Sequence, residues 1–273
     1  MRQKLFAFIF FMFAYLINGA FAKEKPTHFA VIIPSYNNAQ WVTKNLESVV
    51  SQTYTNWSLI YIDDCSKDKT GDIVADLIKK HNLQKKCTLI RNEKRCGALA
   101  NIYKAVHMCN PKHVVVLLDG DDWFAHKKVL KKLASIYANK KIWLTYGNFR
   151  SDPPGWESCC APIPKKVRQH NSFSKHKWVA SHLRTFYAKL FHLIKKEDLM
   201  INGDFFPMTY DMAITFPMLE MASKNHFFFV RNVLYIYNVA NPIMDWRINA
   251  ELQRKLDAHI RSMPTYKPLN RLF

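Results

Sequence analysis

Short apolar segments alternate with longer segments of helical period from residue 29 onward, and this alternation limits the fold more than any other feature of the sequence. The first short segment, residues 29–33, has the length and apolarity of a buried strand. Residues 41–52 follow with apolar side chains at helical spacing. Strands connected through helices build βαβ units, so we expect an α/β fold with a mostly parallel sheet flanked by helices.

The same pattern gives the organisation of the whole chain. It predicts strands at residues 29–33, 58–62, 87–90, 113–118 and 142–146, and helices at residues 41–52, 72–81, 98–108 and 127–137. Prolines then interrupt the alternation until about residue 178, which predicts a long loop. Beyond it we expect a helix at residues 210–222, strands at residues 227–230 and 233–237, and an amphipathic C-terminal helix. We therefore predict one domain of residues 23–273 with two halves, about residues 29–150 and a smaller, irregular half at about residues 151–273.

The N-terminal segment has the pattern of a signal peptide at residues 1–22. Met1 to Lys4 is basic, residues 5–17 are apolar, and Ala20 to Ala22 has small residues at a cleavage site. The apolar stretch is shorter than the roughly 20 residues of a spanning helix, so we expect export, with a membrane anchor through residues 5–22 as the alternative. The six cysteines permit disulfides in an exported chain, but their spacing does not identify the pairs.

The charge of the chain favours anionic partners. Forty Lys and Arg residues stand against 21 Asp and Glu residues, a formal net charge of +19. The basic residues form scattered pairs rather than a long block, and no nucleic-acid motif is present, so we expect no nucleic-acid partner. Peripheral contact with an anionic membrane surface is consistent with the charge. On charge alone, a non-catalytic exported module that binds anionic lipid or nucleic acid is the alternative to an enzyme.

Two acidic clusters follow predicted strands. Asp63 and Asp64 end the second strand, and the segment Asp119 to Asp122 ends the fourth. Ligands of open parallel α/β sheets bind beyond the carboxyl ends of the strands, so both clusters should face one crevice. An isolated pair of aspartates also serves simply to end a strand or cap a helix. The second cluster is therefore the stronger indication of a site.

Three carboxylates at Asp119, Asp121 and Asp122 repel one another unless a cation or a shift in protonation neutralises them. Mg²⁺ and Mn²⁺ prefer such oxygen ligands and are commonly held by one or two carboxylates together with substrate phosphates. The cluster therefore predicts a divalent metal ion that carries a diphosphate. Gly120 keeps the turn compact and can also take a positive φ, which would let Asp119 and Asp121 converge on one ligand.

These motifs, in this order, resemble the family 2 glycosyltransferases of the GT-A fold. The matching segments are residues 31–37 (VIIPSYN), residues 62–66 (IDDCS) and residues 119–122 (DGDD). The resemblance implies a GT-A-like, Rossmann-like sheet and a nucleotide-sugar donor, for which we expect a UDP-sugar. In the donor site that the resemblance implies, the nucleotide base lies against Pro34 and Tyr36 and contacts Asp63 or Asp64, and Arg95 lines the donor pocket. Ribose or sugar would lie near Asp119. Asp121 and Asp122 would bind Mn²⁺ or Mg²⁺.

The resemblance also implies a catalytic base, which falls on Asp211 at the start of a buried helix. Where the family more often has Glu-Asp, this chain has Tyr210 before Asp211. A helix N-cap is the structural alternative for Asp211. The other acids nearby that could serve as the base are Glu197, Asp198 and Asp204.

With Asp211 as base, the chain would be an inverting, metal-dependent glycosyltransferase that uses a glycan, lipid or protein acceptor. Arg184 either touches the diphosphate or is a structural cation. The metal-contacting histidine that the family often has near its C-terminus is absent from residues 235–238. A phosphatase of the haloacid dehalogenase type is disfavoured because that class has Thr or Val where this chain has Trp123.

Overall fold

The computed structural model describes residues 25–243, 247 and 249–273. The predicted signal peptide of residues 1–22, and the alternative anchor of residues 5–22, lie outside the described residues. Among the residues that are described, no helix has both the length and the apolarity needed to cross a lipid bilayer. The described region contains every predicted site residue.

The first part of the chain alternates strand and helix as predicted. Its elements are β1 (Phe29–Ser35), α1 (Ala39–Val50), β2 (Trp57–Asp63), α2 (Thr70–Lys80), β3 (Cys87–Arg91), α3 (Ala98–Met108) and β4 (Val114–Leu117). β1 pairs in parallel with β2 and with β4, and β2 pairs in parallel with β3. Every residue of β1 is buried, as expected for a parallel strand with layers packed on both faces of its sheet.

The second part completes the sheet and adds short elements around it. Its elements are β5 (Trp123–Phe124), α4 (Val129–Tyr137), β6 (Leu144–Asp152), α5 (Lys165–Gln169), β7 (Thr185–Tyr187), α6 (Ala188–Phe191), β8 (Met200–Ile201), β9 (Asp204–Phe205), α7 (Tyr210–Met221), β10 (Phe227–Asn238) and α8 (Ala250–Ser262). Eight strands form one sheet in the order β3-β2-β1-β4-β7-β6-β10-β5. Only β7 and β5 pair antiparallel within this sheet, which confirms the mostly parallel prediction.

β10 corrects the prediction of two separate strands near the C-terminus. It is one strand that pairs with β6, and its register shifts between Val230 and Val233. The intervening Arg231 and Asn232 are exposed, so they interrupt the apolar pattern without ending the strand. The pairing also explains why β6 continues past the predicted end at residue 146 to Asp152, since its last residues pair with the end of β10.

α7 is a buried helix, as its apolar sequence predicts. Ten consecutive residues from Met212 to Met221 are buried, including Glu220, which is 3% exposed. A helix that is apolar on all sides packs inside the protein rather than on its surface. The surrounding core therefore fixes the position of its first turn, which contains Tyr210 and Asp211.

The carboxyl ends of β1, β2, β4 and β6 lie at one edge of the sheet. β4 and β6 both run antiparallel to β7, so they run in the same direction as each other and as β1 and β2. Loops that follow these strands are thus brought to the same edge.

Candidate active site

An open cleft of about 290 Å³ lies where β1, β2 and β4 end. Eight of the nine predicted site residues line it: Pro34, Tyr36, Asp64, Arg95, Asp119, Asp121, Asp122 and Asp211. The structure thus brings together residues that are far apart in the sequence. Asp63 is the predicted residue that does not line the cleft.

Asp64, rather than Asp63, faces the cleft. The backbone N–H groups of Cys96 and Gly97 each donate to the Asp64 carboxylate at 2.8 Å. Burial disfavours the charge of Asp64, but its hydrogen bonds outweigh this effect and lower its pKa below the usual value. Asp63 instead accepts a hydrogen bond from the backbone of Ser66 at 3.1 Å. Asp64 is therefore an ionised acceptor on the cleft wall.

Tyr36 and Arg95 form a flat, positively charged part of the wall. The Arg95 guanidinium lies 4.0 Å from the centre of the Tyr36 ring. Both side chains line the cleft. A planar guanidinium stacked on an aromatic ring offers a surface for a base and donors for a phosphate.

Gly120 allows the acidic loop to approach β1. A Cβ at this position would lie 2.4 Å from Ser35 Oγ and 2.8 Å from Asn38 Nδ2. Gly120 does not use the positive φ that is open to glycine, because the described residues with positive φ do not include it. Close approach of the backbone, and not an unusual conformation, requires the glycine.

Asp119, Asp122 and His182 form a group suited to a metal ion. One potential ligand atom from each residue lies within 4.8 Å of the other two. Two carboxylates and one imidazole are a donor set that accepts a divalent cation. His182 comes from the segment before β7, so this group joins the two parts of the chain.

Asp122 is the most buried member of the group, with 1% exposure. The Tyr235 hydroxyl donates to one of its carboxylate oxygens, and the backbone N–H of Asn238 donates to the other at 2.7 Å. Burial, and then the nearby charges of Asp121 and Asp119, raise the pKa of Asp122 well above its usual range. A bound cation would relieve this repulsion, so the residues present fit a divalent metal ion.

Asp121 lies on the cleft wall but outside that three-residue group. Its carboxylate accepts a hydrogen bond from the Asn241 amide at 2.7 Å, and its carbonyl oxygen accepts one from the Asn238 side chain at 3.1 Å. Residues at the end of β10 therefore hold the acidic loop in place. The assignment of a metal ion to Asp121 stays a prediction.

His182 is held as a neutral imidazole. Its ring stacks on Tyr235 with centroids 4.4 Å apart and on Tyr237 at 5.2 Å. Burial, together with the charge of Arg184, lowers the pKa of His182 well below its usual value. Neutral imidazole is the form that ligates metal ions.

Asp211 and Arg184 face each other on the second side of the cleft. Arg184 is 2% exposed, and its Nη1 lies 3.8 Å from Asp211 Oδ2. Arg184 Nε and Nη1 have no hydrogen-bond partner among the described residues, so donors remain for a ligand. Burial raises the pKa of Asp211, and the charge of Arg184 opposes this shift. The helix N-cap is Thr209, so capping does not explain Asp211.

The alternative acids lie elsewhere. None of Glu197, Asp198 and Asp204 lines the cleft. Asp198 accepts a hydrogen bond from the Tyr266 hydroxyl, while Glu197 and Asp204 are exposed. Asp211 is therefore better placed than these three to contact a ligand in the cleft.

Residues 30–197, more than half of the chain, match the model of the family described as Glycosyl transferase family 2. The chain belongs to this family. The resemblance inferred from residues 31–37, 62–66 and 119–122 is thus confirmed.

One similar curated protein is the UDP-Glc:alpha-D-GlcNAc-diphosphoundecaprenol beta-1,3-glucosyltransferase WfgD of Escherichia coli, which is 30% identical over 120 residues, 44% of this chain and 45% of WfgD. This chain spans less than half the length of the curated relatives it matches.

Solved structures show the same fold. S. aureus TarS in complex with UDP-GlcNAc has a TM-score of 0.57 at 17% identity, over 78% of this chain and 58% of TarS. The mannosyltransferase PcManGT from Pyrobaculum calidifontis, in complex with GDP-Man and Mn²⁺, has a TM-score of 0.55 at 16% identity, over 94% of this chain and 72% of that protein. The GT-A-like fold class is confirmed.

Several residues of the candidate site are absent from the predicted set. Residues 235–238 contain no histidine, and the histidine of the metal-ion group, His182, comes from a different segment. Tyr235 and Asn241 hold the acidic loop but belong to no recognisable sequence motif. The sequence offers one indication of His182, namely the neighbouring Arg184, which is the one charged residue within residues 178–188.

Proposed function

We propose that the chain transfers a sugar from a nucleotide-sugar donor, with a UDP-sugar as the expected donor, to an acceptor hydroxyl. One observation carries this proposal: the ionised Asp64 and the Tyr36–Arg95 surface share a cleft with the group of Asp119, Asp122 and His182. Such a cleft offers separate places for a base, a diphosphate and a sugar. Family membership favours this function over the alternative of a non-catalytic basic module.

The donor would lie with its base near Pro34 and Tyr36 and with Asp64 as an acceptor. We infer that Asp119, Asp122 and His182, with Asp121 beside them, would hold Mn²⁺ or Mg²⁺. A divalent ion bound there supplies positive charge that stabilises a departing diphosphate. The bound Mn²⁺ of the PcManGT complex supports this choice of metal. Arg184, with unpartnered donors, would bind diphosphate or acceptor oxygens.

Asp211 would act as the general base. It accepts the proton of the acceptor hydroxyl while that oxygen bonds to the anomeric carbon and the nucleoside diphosphate leaves with the electrons of the broken bond. A single displacement inverts the configuration at this carbon. A raised pKa brings the carboxylate closer to the acidity that favours proton transfer near neutral pH.

The acceptor is proposed as a glycan, a lipid-linked sugar or a protein. The printed name of WfgD describes a lipid diphosphate-linked acceptor, which makes this class the first to test. The long segment of residues 151–177, which follows the predicted end of β6, would contribute to acceptor selection.

The test is release of nucleoside diphosphate from a panel of UDP- and GDP-sugars by the purified chain, with and without Mn²⁺. We expect release with one donor or a small set of donors, dependent on metal and abolished by the double substitution Asp121→Asn with Asp122→Asn. Asp204→Asn is the matched control, because Asp204 is exposed and away from the cleft. The proposal fails if no donor binds, or if the double variant behaves as the unchanged chain does.

A further inference from the structure

Two adjacent cysteines lie beside the cleft and have no role in the proposed reaction. All six cysteines of the chain are free thiols, and only Cys159 and Cys160 are neighbours in sequence. They belong to the loop that follows β6, a strand whose carboxyl end lies at the cleft edge. Cys159 is exposed and Cys160 is half-buried. A small molecule can therefore reach the first thiol, while the second is held behind it.

Cys160 contacts the segment that contributes to the cleft. Its Sγ lies 3.9 Å from the carbonyl oxygen of His182. The Tyr146 hydroxyl donates to the carbonyl of Ala161 at 2.9 Å, which anchors the loop directly after the pair. A change at the two thiols thus acts on the backbone of His182, two residues before Arg184.

The exposed thiol of the pair ionises more readily than an ordinary cysteine. Hydrogen bonding with Cys160 lowers the pKa of Cys159 to about 7, against the opposing effect of burial. The thiolate is the nucleophile in thiol chemistry, so the exposed member of the pair is also the more reactive one.

We propose that Cys159 and Cys160 form a paired-thiol modification site, which closes to a disulfide by exchange with a low-molecular-weight disulfide such as oxidised glutathione. The Cys159 thiolate attacks one sulfur of that disulfide, forms a mixed disulfide and releases the first thiolate. Cys160 then loses its proton to solvent and attacks the Cys159 sulfur, which forms the Cys159–Cys160 bond and releases the second thiolate. The protein loses two electrons and two protons, and one small disulfide becomes two thiols.

Cys96 provides a control outside the pair. It is exposed, as Cys159 is, but the neighbouring residues in sequence are not cysteines. Replacing it should leave closure of the Cys159–Cys160 pair unchanged.

Formation of the Cys159–Cys160 disulfide should also change the cleft. This part of the inference rests on the proposed function. A bond between the two sulfurs removes the Cys160 thiol from its contact with the His182 carbonyl. We expect the oxidised chain to lose most of its sugar-transfer activity and to regain it with dithiothreitol. Cys160→Ser should prevent closure while keeping a hydroxyl at the contact.

The experiment is peptide mass spectrometry of the full chain after incubation with oxidised glutathione, for the unchanged chain and for Cys159→Ser, Cys160→Ser and Cys96→Ser. We expect the unchanged chain and Cys96→Ser to lose two hydrogens from the peptide with residues 159–160. Cys160→Ser should keep a glutathione adduct on Cys159. A stable adduct on Cys159 in the unchanged chain, or no reaction there, would overturn the proposal.

The activity measurement uses the same oxidised samples. Closure with full activity would overturn the link to the cleft and leave the modification site in place. The mass readout does not require activity, so a chain that transfers no sugar would contradict the proposed function without affecting this test.

Discussion

The two parts of the sheet build the same cleft in different ways. In the part from β1 to β4, site residues directly follow strands, as Tyr36 follows β1, Asp64 follows β2 and Asp119 follows β4 within two residues. In the part from β6 onward, His182 precedes a short antiparallel strand and Asp211 begins a buried helix. The first arrangement is local in sequence, whereas the second depends on the packing of distant segments.

This difference shows which site residues can be predicted from a sequence. A loop after a parallel strand reaches the ligand edge by the direction of the strand alone. A residue such as His182 reaches it only because β7 pairs with β4 on one side and β6 on the other. Substitutions in the second part should therefore affect folding and the site together more often than substitutions in the first.

The largest effect is expected at Asp211. Asp211→Asn keeps the shape of the side chain but removes the proposed base, so kcat for sugar transfer should fall by about 10²- to 10⁴-fold. Donor binding should change little, since Asp64, Tyr36 and the acidic loop are intact. Steady-state kinetics with donor titration measures both, and Asp204→Asn is the control. An unchanged kcat would place the base elsewhere.

β7 joins the two parts of the sheet, so weakening this strand should cause the largest loss in the free energy of unfolding. Phe186 in β7 is 0% exposed, and Phe186→Ala should lower the free energy of unfolding by about 3–5 kcal/mol. Phe228→Ala is the control, because this side chain is 46% exposed and should change stability by less than about 0.5 kcal/mol. Urea denaturation compares the two, and equal losses would contradict the central place of β7.

Glu220 should make the second part sensitive to pH. Burial raises its pKa from 4.5 to about 7, so the folded state favours the protonated form. Its contribution to stability is fully present below about pH 4.5 and is lost as pH rises to about 7, a total of about 3 kcal/mol. Unfolding of the unchanged chain and of Glu220→Gln across this range measures the difference. If both change equally with pH, Glu220 is not the cause.

A smaller effect is expected where β10 touches the acidic loop of the first part. Tyr235→Phe removes the hydroxyl that donates to Asp122 and should weaken Mn²⁺ binding about 10- to 100-fold. Tyr137→Phe also removes a buried hydroxyl, which bonds to Thr185 away from the cleft, and should leave Mn²⁺ binding unchanged. Calorimetric titration with Mn²⁺ distinguishes them. Equal weakening in both variants would indicate a loss of folding instead of a lost contact.

The strands, helices and site residues of the first part can be predicted from the sequence, whereas those of the second part can be predicted only in part. Strong apolar periodicity predicts β1 to β4 and their helices, and strand direction places Asp64 and Asp119 at one edge. β5 and β7 are too short to show a period, with two and three residues. Without β7, nothing in the sequence connects His182 to Asp119.

The choice between Asp63 and Asp64 illustrates the same limit. Both follow β2, and the sequence leaves both open. The choice depends on hydrogen bonds from the distant backbone of Cys96 and Gly97. Such contacts arise from tertiary packing and leave no local pattern.

In our proposal the two parts of the sheet share one metal-dependent donor site, and calorimetric titration of UDP with and without Mn²⁺ is the decisive measurement. The unchanged chain should bind UDP more tightly with Mn²⁺. Asp119→Asn in the first part and His182→Gln in the second should each abolish this gain. If His182→Gln keeps the full gain while Asp119→Asn loses it, the first part holds the metal alone and the shared site is contradicted.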